Sequence, residues 1–276
     1  MEKFENYKSL ENYFLDCYKQ LQVEDYDFFY IYSDLRAFAS EIPFKFEKND
    51  FCTSIMNPLL KLNKTIIIPT FTYTVDGVFD VEDTPTKLGA LNSWILSQAG
   101  MKRSEHPMFS FAALGPKSSI VENCGKSAFG HDSIHERLRN KKCCFLNIGR
   151  SLASGNTLVH NVEQSCGATY RYNKCLKTKV FKNKKLFGTN YSAFLRRLDI
   201  PDNDVKINFL NASKNIFDAG IIKSVSINQN TSIDYSTKND SLLTIFLYDY
   251  DKTRQILVDS FNQDISVFIS KPFVQY

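Results

Sequence analysis

CCFLNIGRSLASGNTLVHNVE, residues 143–163, is the stretch on which the fold turns. Its first part, Cys143 to Ile148, is a mostly apolar run of the kind buried on both faces of a sheet. A polar stretch containing glycine and serine follows, and Asn156 or Thr157 then stands where a helix N-cap belongs. A strand that passes through a loop into a helix is a building unit of layered α/β proteins. If the helix starts there, Thr157, His160 and Glu163 recur at intervals of three and share one face near its N-terminus.

Outward from this unit the chain repeats the same alternation. Leu10, Tyr13, Phe14, Cys17 and Leu21 carry helical spacing across residues 7–21, and Phe28 to Ser33 and Thr65 to Thr72 are further strand-like runs. Leu88 to Ala99 reads as a helix closed by Gly100. Later, Tyr191 to Leu198 and Asn211 to Ile222 read as helices, while Leu242 to Tyr248 and Ile256 to Phe261 read as strands paired across Asp249 to Lys252. The expected architecture is α/β: a layered α/β/α unit with a central mixed sheet and peripheral helical and β elaborations. No internal repeat or low-complexity linker divides it, and Asn228 to Asp240 is expected to be a surface loop. One domain spanning 1–276 is expected.

With 276 residues, 43% of them hydrophobic, the chain can bury a substantial core. The charged opening MEKFENYKSLENYF lacks the apolar core of a signal peptide, and no run is long enough to cross a bilayer. A cytoplasmic protein without a membrane span is expected. Seven cysteines, an odd number without CxxC spacing, suggest neither a disulfide framework nor a zinc ribbon. The net charge of +4 is too modest to point to nucleic acid. Its distribution says more: between Glu163 and Asp199 there is no acidic residue, while Arg171, Lys174, Lys177, Lys179, Lys182, Lys184, Lys185, Arg196 and Arg197 supply nine positive charges. The rest of the chain is therefore net negative.

The chain has four histidines. His131 and His135 lie in a charged stretch that reads as a solvated helix start, and His106 precedes a proline that restricts it to extended geometry. His160 differs because Glu163 lies on its own helix face. An imidazole is well suited to take a proton near neutral pH, and a carboxylate on its other nitrogen fixes the tautomer. The same spacing also fits a surface ion pair. A zinc site lacks further ligands at recognisable spacing, so no metal is expected. A Cys166–His160 nucleophile pair rests on sequence proximity alone.

Together these segments resemble the aminoglycoside 3-N-acetyltransferase family, also called the antibiotic N-acetyltransferases. The resemblance runs in order from about residue 28 to residue 165. It is carried by Tyr30-Ile-Tyr-Ser-Asp-Leu35, Pro69-Thr-Phe-Thr72, Arg103-Ser-Glu-His-Pro-Met-Phe-Ser110 with Ala112-Ala-Leu-Gly115, Phe129-Gly-His-Asp-Ser133, and finally Thr157 to Glu163. It implies direct acetyl transfer from acetyl-CoA to an amine. By this resemblance His160 is the general base, Glu163 orients it, and Thr157 assists the acetyl carbonyl or the thiolate leaving group. Ser33, Arg103, Ser104, His106, Pro107 and Ser110 are expected at the pantetheine channel. Asp34, Thr72, Tyr170 and Arg171 are expected near the acceptor, with residues 164–276 contributing much of an acceptor-side lobe. The loop from Gly149 to Thr157, which contains Arg150, is about one residue longer than the family pattern.

Polycationic drugs call for carboxylate-rich pockets, whereas the acid-free basic stretch follows the motif directly. Its plainest explanation is a solvated surface. It also fits an anionic acceptor, a nucleotide-linked or lipid-pyrophosphate-linked amino sugar of surface-glycan assembly, because Arg and Lys are the usual phosphate partners. The alternatives are an aminoglycoside acceptor or a CoA-binding homologue without chemistry.

Overall fold

The computed structural model describes residues 4–201, 204–227 and 242–273. In chain order the regular elements are α1 (Tyr7–Gln20), β1 (Phe28–Ser33), α2 (Arg36–Ser40), α3 (Lys48–Lys61), β2 (Thr65–Pro69), β3 (Asp76–Asp80), α4 (Ala90–Leu96), β4 (Lys102–Arg103), β5 (Phe111–Leu114) and α5 (Ile134–Arg137). They continue with β6 (Cys143–Ile148), α6 (Leu158–Cys166), β7 (Arg171–Cys175), β8 (Lys177–Lys182), β9 (Lys185–Gly188), β10 (Ser192–Arg196), α7 (Leu210–Asp218), β11 (Ile222–Ser226), β12 (Thr244–Asp249) and α8 (Tyr250–Gln263).

The apolar runs become the middle of a seven-stranded sheet in the order β11-β12-β6-β1-β2-β5-β4. β6, β1 and β2 are parallel, β12 and β5 flank them antiparallel, and the sheet is mixed. Strand periodicity divides the core in two. Phe28, Tyr30, Ile67, Cys143 and Phe145 face one side, where α6 and α8 contribute Val159, Val162, Leu257 and Phe261. Phe29, Ile31, Ile66, Ile68, Cys144 and Leu146 face the other, against α1, α3 and α4. The layered α/β/α architecture follows from sandwiching a sheet that is apolar on both faces.

Two expected elements change identity. Tyr191 to Leu198 contains β10, not a helix: Ala193 and Phe194 are buried, and the segment pairs antiparallel with β7. Ile256 to Phe261 lies within α8, not a strand. Asp249 caps that helix by accepting the Lys252 N–H at 2.9 Å, so the segment across Asp249 to Lys252 is a strand-to-helix junction instead of a hairpin. Tyr250, Thr253, Leu257 and Phe261 then form its buried stripe at helical spacing. The second expected late helix, Asn211 to Ile222, stops at Asp218, and Ile222 opens β11. The strand begun at Thr65 ends at Pro69. The loop expected at Asn228 to Asp240 lies outside the described residues.

The basic stretch builds two small sheets. β7 pairs with β10, and β8 lies between β3 and β9. Leu176, Thr178 and Val180 are buried while Lys177 and Lys179 point outward, the alternation of a half-buried strand. Much of the positive charge is thus the solvated face of β8 and its turn to β9.

Candidate active site

The parallel strands β6, β1 and β2 end at one edge of the sheet, and β1 is flanked by strands reached in opposite directions. Open α/β sheets place ligands at the carboxyl ends of their strands at such a switch point. Here Tyr32 and Ser33 from β1, Pro69 and Phe71 from the end of β2, and Arg150 with Ser154 to Thr157 from the loop after β6 line a cavity of about 380 Å³.

The turn off β6 leaves no room for a side chain at its hinge. Gly149 has φ +69, and a Cβ there would lie 2.0 Å from the Asp34 carbonyl oxygen. At the loop's other end Gly155, φ +67, lets the backbone approach the Phe209 ring, 2.9 Å from where a Cβ would sit. The Asn156 side chain then accepts the Leu158 N–H at 3.0 Å, starting α6. Thr157 takes the N-cap position without capping through its side chain. Its hydroxyl instead meets those of Tyr30 and Tyr32 at 2.8 and 2.9 Å and His135 Nε2 at 3.0 Å. Its own N–H donates to the Tyr32 hydroxyl at 3.0 Å.

One turn on, His160 Nδ1 donates to Glu163 Oε2 at 2.7 Å. Glu163 is wholly buried; its Oε1 accepts the Tyr170 hydroxyl at 3.0 Å and its Oε2 lies 2.6 Å from Arg171 Nε. Burial alone would push this carboxyl up, but the His160 hydrogen bond and the Arg171 charge hold it below the usual carboxylate range. Burial first, and the Arg171 charge second, push the imidazole of His160 below its ordinary value, against the opposing pull of Glu163. The product is an ionised carboxylate against a neutral imidazole whose Nε2 is left to accept a proton. The Phe129 ring packs against that imidazole, 5.0 Å between centroids.

A second cavity of about 640 Å³ opens on the other side of this helix end. Phe71, Tyr73, Thr157, His160 and Ile207 line both cavities, so the two meet at the motif. Arg171, Tyr172, Lys174, Arg196 and Lys206 line the second cavity and not the first. No Asp, Glu or Cys lines either cavity among the described residues.

The expected site residues divide accordingly. Thr157, His160, Ser33 and Arg171 line cavity walls, and Glu163 and Tyr170 stand directly behind them. Arg103, Ser104, His106, Pro107 and Ser110 do not line the cavity where pantetheine contacts were expected. Each is buried and spent on scaffold. The Arg103 guanidinium donates to the carbonyls of Thr70, Val81 and Thr84 and to the Ser110 hydroxyl. Ser104 accepts the Phe111 N–H. His106 accepts the Met108 and Phe109 N–H groups at Nδ1 and donates from Nε2 to Ser192. Thr72 donates to the Pro107 carbonyl and Asp34 is paired with Arg36, and neither lines either of these two cavities. His135 is not solvated but fully buried, and burial, with the neighbouring His160, pushes it down to about 3. Tyr30, Tyr32 and Phe129 stand within the motifs quoted above, but sequence reading assigned them no role at the site. The two-residue spacing of the tyrosines in FFYIYS, which puts them on one strand face, was the available signal. Cys166 lines neither cavity. Among the described residues no group of three or more His, Cys, Asp or Glu side chains gathers to hold a metal, and no helix is long and apolar enough to cross a membrane.

Comparison with known proteins completes the description. A family model for aminoglycoside 3-N-acetyltransferase matches residues 55–239, more than half of the chain. Among solved structures, the apoenzyme of aminoglycoside acetyltransferase AAC(3)-IVa aligns with a TM-score of 0.70 at 17% identity, covering 95% of this chain and 92% of its own. AAC-VIa bound to sisomicin aligns at 0.67 with 16% identity, covering 92% and 97%. YokD from Bacillus subtilis aligns at 0.66 with 14% identity, covering 92% and 99%. Comparison with curated protein sequences finds no match.

Proposed function

Because the chain belongs to the aminoglycoside 3-N-acetyltransferase family, we propose that it transfers an acetyl group from acetyl-CoA directly to an amine, with His160 as general base and Glu163 as its partner. The observation that carries this reading is the meeting of two cavities at the His160 imidazole, whose Nδ1 is held by Glu163. The cavity beside Ser33, Arg150 and the Gly155 backbone suits the thioester, and Arg150 on its wall is a cation able to face CoA phosphates. Acetyl-CoA supplies the activated acetyl group. The other cavity suits the amine.

A protonated amine is not a nucleophile, so a base has to remove its proton. That first proton goes to solvent before attack; from the free amine His160 Nε2 takes a second one as the C–N bond forms, and Glu163 balances the imidazolium charge. When the C–S bond breaks, the proton is passed on so that the products are amide and thiol. The hydroxyl of Thr157, set by Tyr30 and Tyr32 at the junction of the cavities, is placed to donate to the carbonyl oxygen or to the departing sulfur. With no cysteine on either wall, no acyl-enzyme is required. In this reading 1–276 works as one domain, and segments after residue 164 build most of the acceptor side.

Two acceptors have separate support. The family and the sisomicin-bound neighbour favour an aminoglycoside. The lining itself favours an amino sugar carrying phosphate or carboxylate, since Arg171, Lys174, Arg196 and Lys206 line it and, among the described residues, no Asp or Glu does. A polycation placed there would meet like charge. Supplying acetyl-CoA with a panel of amines, including kanamycin-like drugs and nucleotide-linked amino sugars, and following thiol release separates these. His160→Ala is expected to lose about 10²–10⁴ in rate. Undiminished release by that variant refutes the base assignment, and turnover of the drugs alone refutes the anionic acceptor.

A further inference from the structure

Arg171 opens β7 directly across from Arg196 of β10, on the wall of the amine-side cavity. Its side chain is 4% exposed, yet it is not fully used. Nε sits 2.6 Å from Glu163 Oε2, and Nη1 reaches the Phe194 carbonyl only at 3.5 Å. Nη2 is buried and has no hydrogen-bond partner among the described residues. A guanidinium offers donors in a planar fork, and leaving a hydrogen bond unmade on a buried cation is costly. Such a group beside a cavity otherwise lined by Lys174, Arg196 and Lys206 matches a ligand bearing an oxyanion.

The same guanidinium also bears on the base. Facing His160 are Glu163 and Thr157 from its own helix, His135 from α5, Phe129 ahead of α5, Arg171 from β7 and Arg196 from β10. Of these, Glu163 favours protonation of His160, while Arg171 and Arg196 oppose it.

We propose that Arg171 is a positioning residue that holds Glu163 on one side and reads an oxyanion of the acceptor on the other, so that filling the amine-side cavity strengthens His160 as a base. An oxyanion next to the guanidinium offsets the positive charge that His160 otherwise experiences, so that burial is left as the main force opposing the pull of Glu163. The base would then be weak while the cavity is empty and would approach the strength suited to neutral pH once the correct acceptor is seated. A polycationic acceptor cannot produce this effect. The inference rests on the reading of His160 as general base and on an anionic acceptor.

Its test is a proton NMR titration of His160, assigned by comparison with His160→Ala, in the intact protein. The probe is sulfate, which keeps its charge throughout, against chloride at the same ionic strength. The expected result is a roughly tenfold higher proton affinity at His160 in sulfate than in chloride, lost in Arg171→Gln. In parallel, the acid limb of kcat should lie at higher pH than that of kcat/KM for an anionic acceptor, and coincide with it for an uncharged amine. Equal titration in sulfate and chloride, or a sulfate effect that survives in Arg171→Gln, overturns the proposal. Should Arg171→Gln fail to fold, the wild-type comparison of the two salts decides alone. An active His160→Ala enzyme would instead defeat the underlying reading, so the two failures are told apart.

Discussion

His160 is kept neutral by burial and by Arg171 against the pull of Glu163, and this balance sets how the enzyme answers to acid. A general base works only unprotonated. Its lowered value therefore moves the acid limb of kcat/KM below the ordinary histidine value of 6.5, and half-maximal kcat/KM is expected at a pH under that figure. A half-point at or above it, with acetyl-CoA saturating, would contradict the arrangement. His106 and His135 obey the same sign for stability. Burial holds them at about 4 and about 3, while in the unfolded chain each titrates near 6.5. The stability tied to their neutral forms is complete above that pH and drains away as pH falls, because the unfolded chain then binds protons that the folded one refuses. Urea midpoints taken between pH 7 and 4.5 should fall steadily, and less steeply in a His106→Gln variant. The residues around these histidines also mark what a motif conveys. Spacing was enough to bring His160 to Glu163, a contact within one helix. Whether His106 and Ser110 face a ligand or brace a loop depends on Ser192 and Thr70, which lie 86 and 40 positions from them in the chain, and here they brace.

The loop from Gly149 to Thr157 is the element on which delivery of the motif depends. Its hinge lets β6 turn against the Asp34 carbonyl, where any side chain would collide. Gly149→Ala is expected to cost more than about 1 kcal/mol from the left-handed backbone alone, with a further loss from the contact, and to displace Thr157 and His160. Thermal unfolding together with thiol release would measure both. Wild-type turnover and stability in that variant would mean the hinge is not needed. Elements with one dominant period were legible: the amphipathic spacing of α1 and the continuous runs of β1, β2 and β6 announced themselves. β10 and α8 did not. FLRRL can satisfy either period, and what makes it a strand is the waiting edge of β7, a tertiary partner that outweighs local preference. In the other case the cap at Asp249, overlooked as a turn, converts an apolar run into a helix.

At the scale of the whole molecule, two cavities meet at His160, and in the proposed reaction both substrates are present together. Initial-velocity patterns are expected to intersect, as in a sequential mechanism, and labelled acetyl-CoA without acceptor should leave no label on the protein. Parallel lines or a trapped acetyl group would require a covalent step. The order of the sheet has a consequence in time. β12 is inserted beside β6, and α8 packs on α6, where Arg254 hydrogen-bonds Asn161 at 3.2 Å and Tyr250 holds the His135 carbonyl at 2.8 Å. The helix bearing the motif therefore has no floor until residues some ninety positions later have arrived. A growing chain that has passed the motif but not yet released α8 from the ribosome is therefore expected to lack transferase activity.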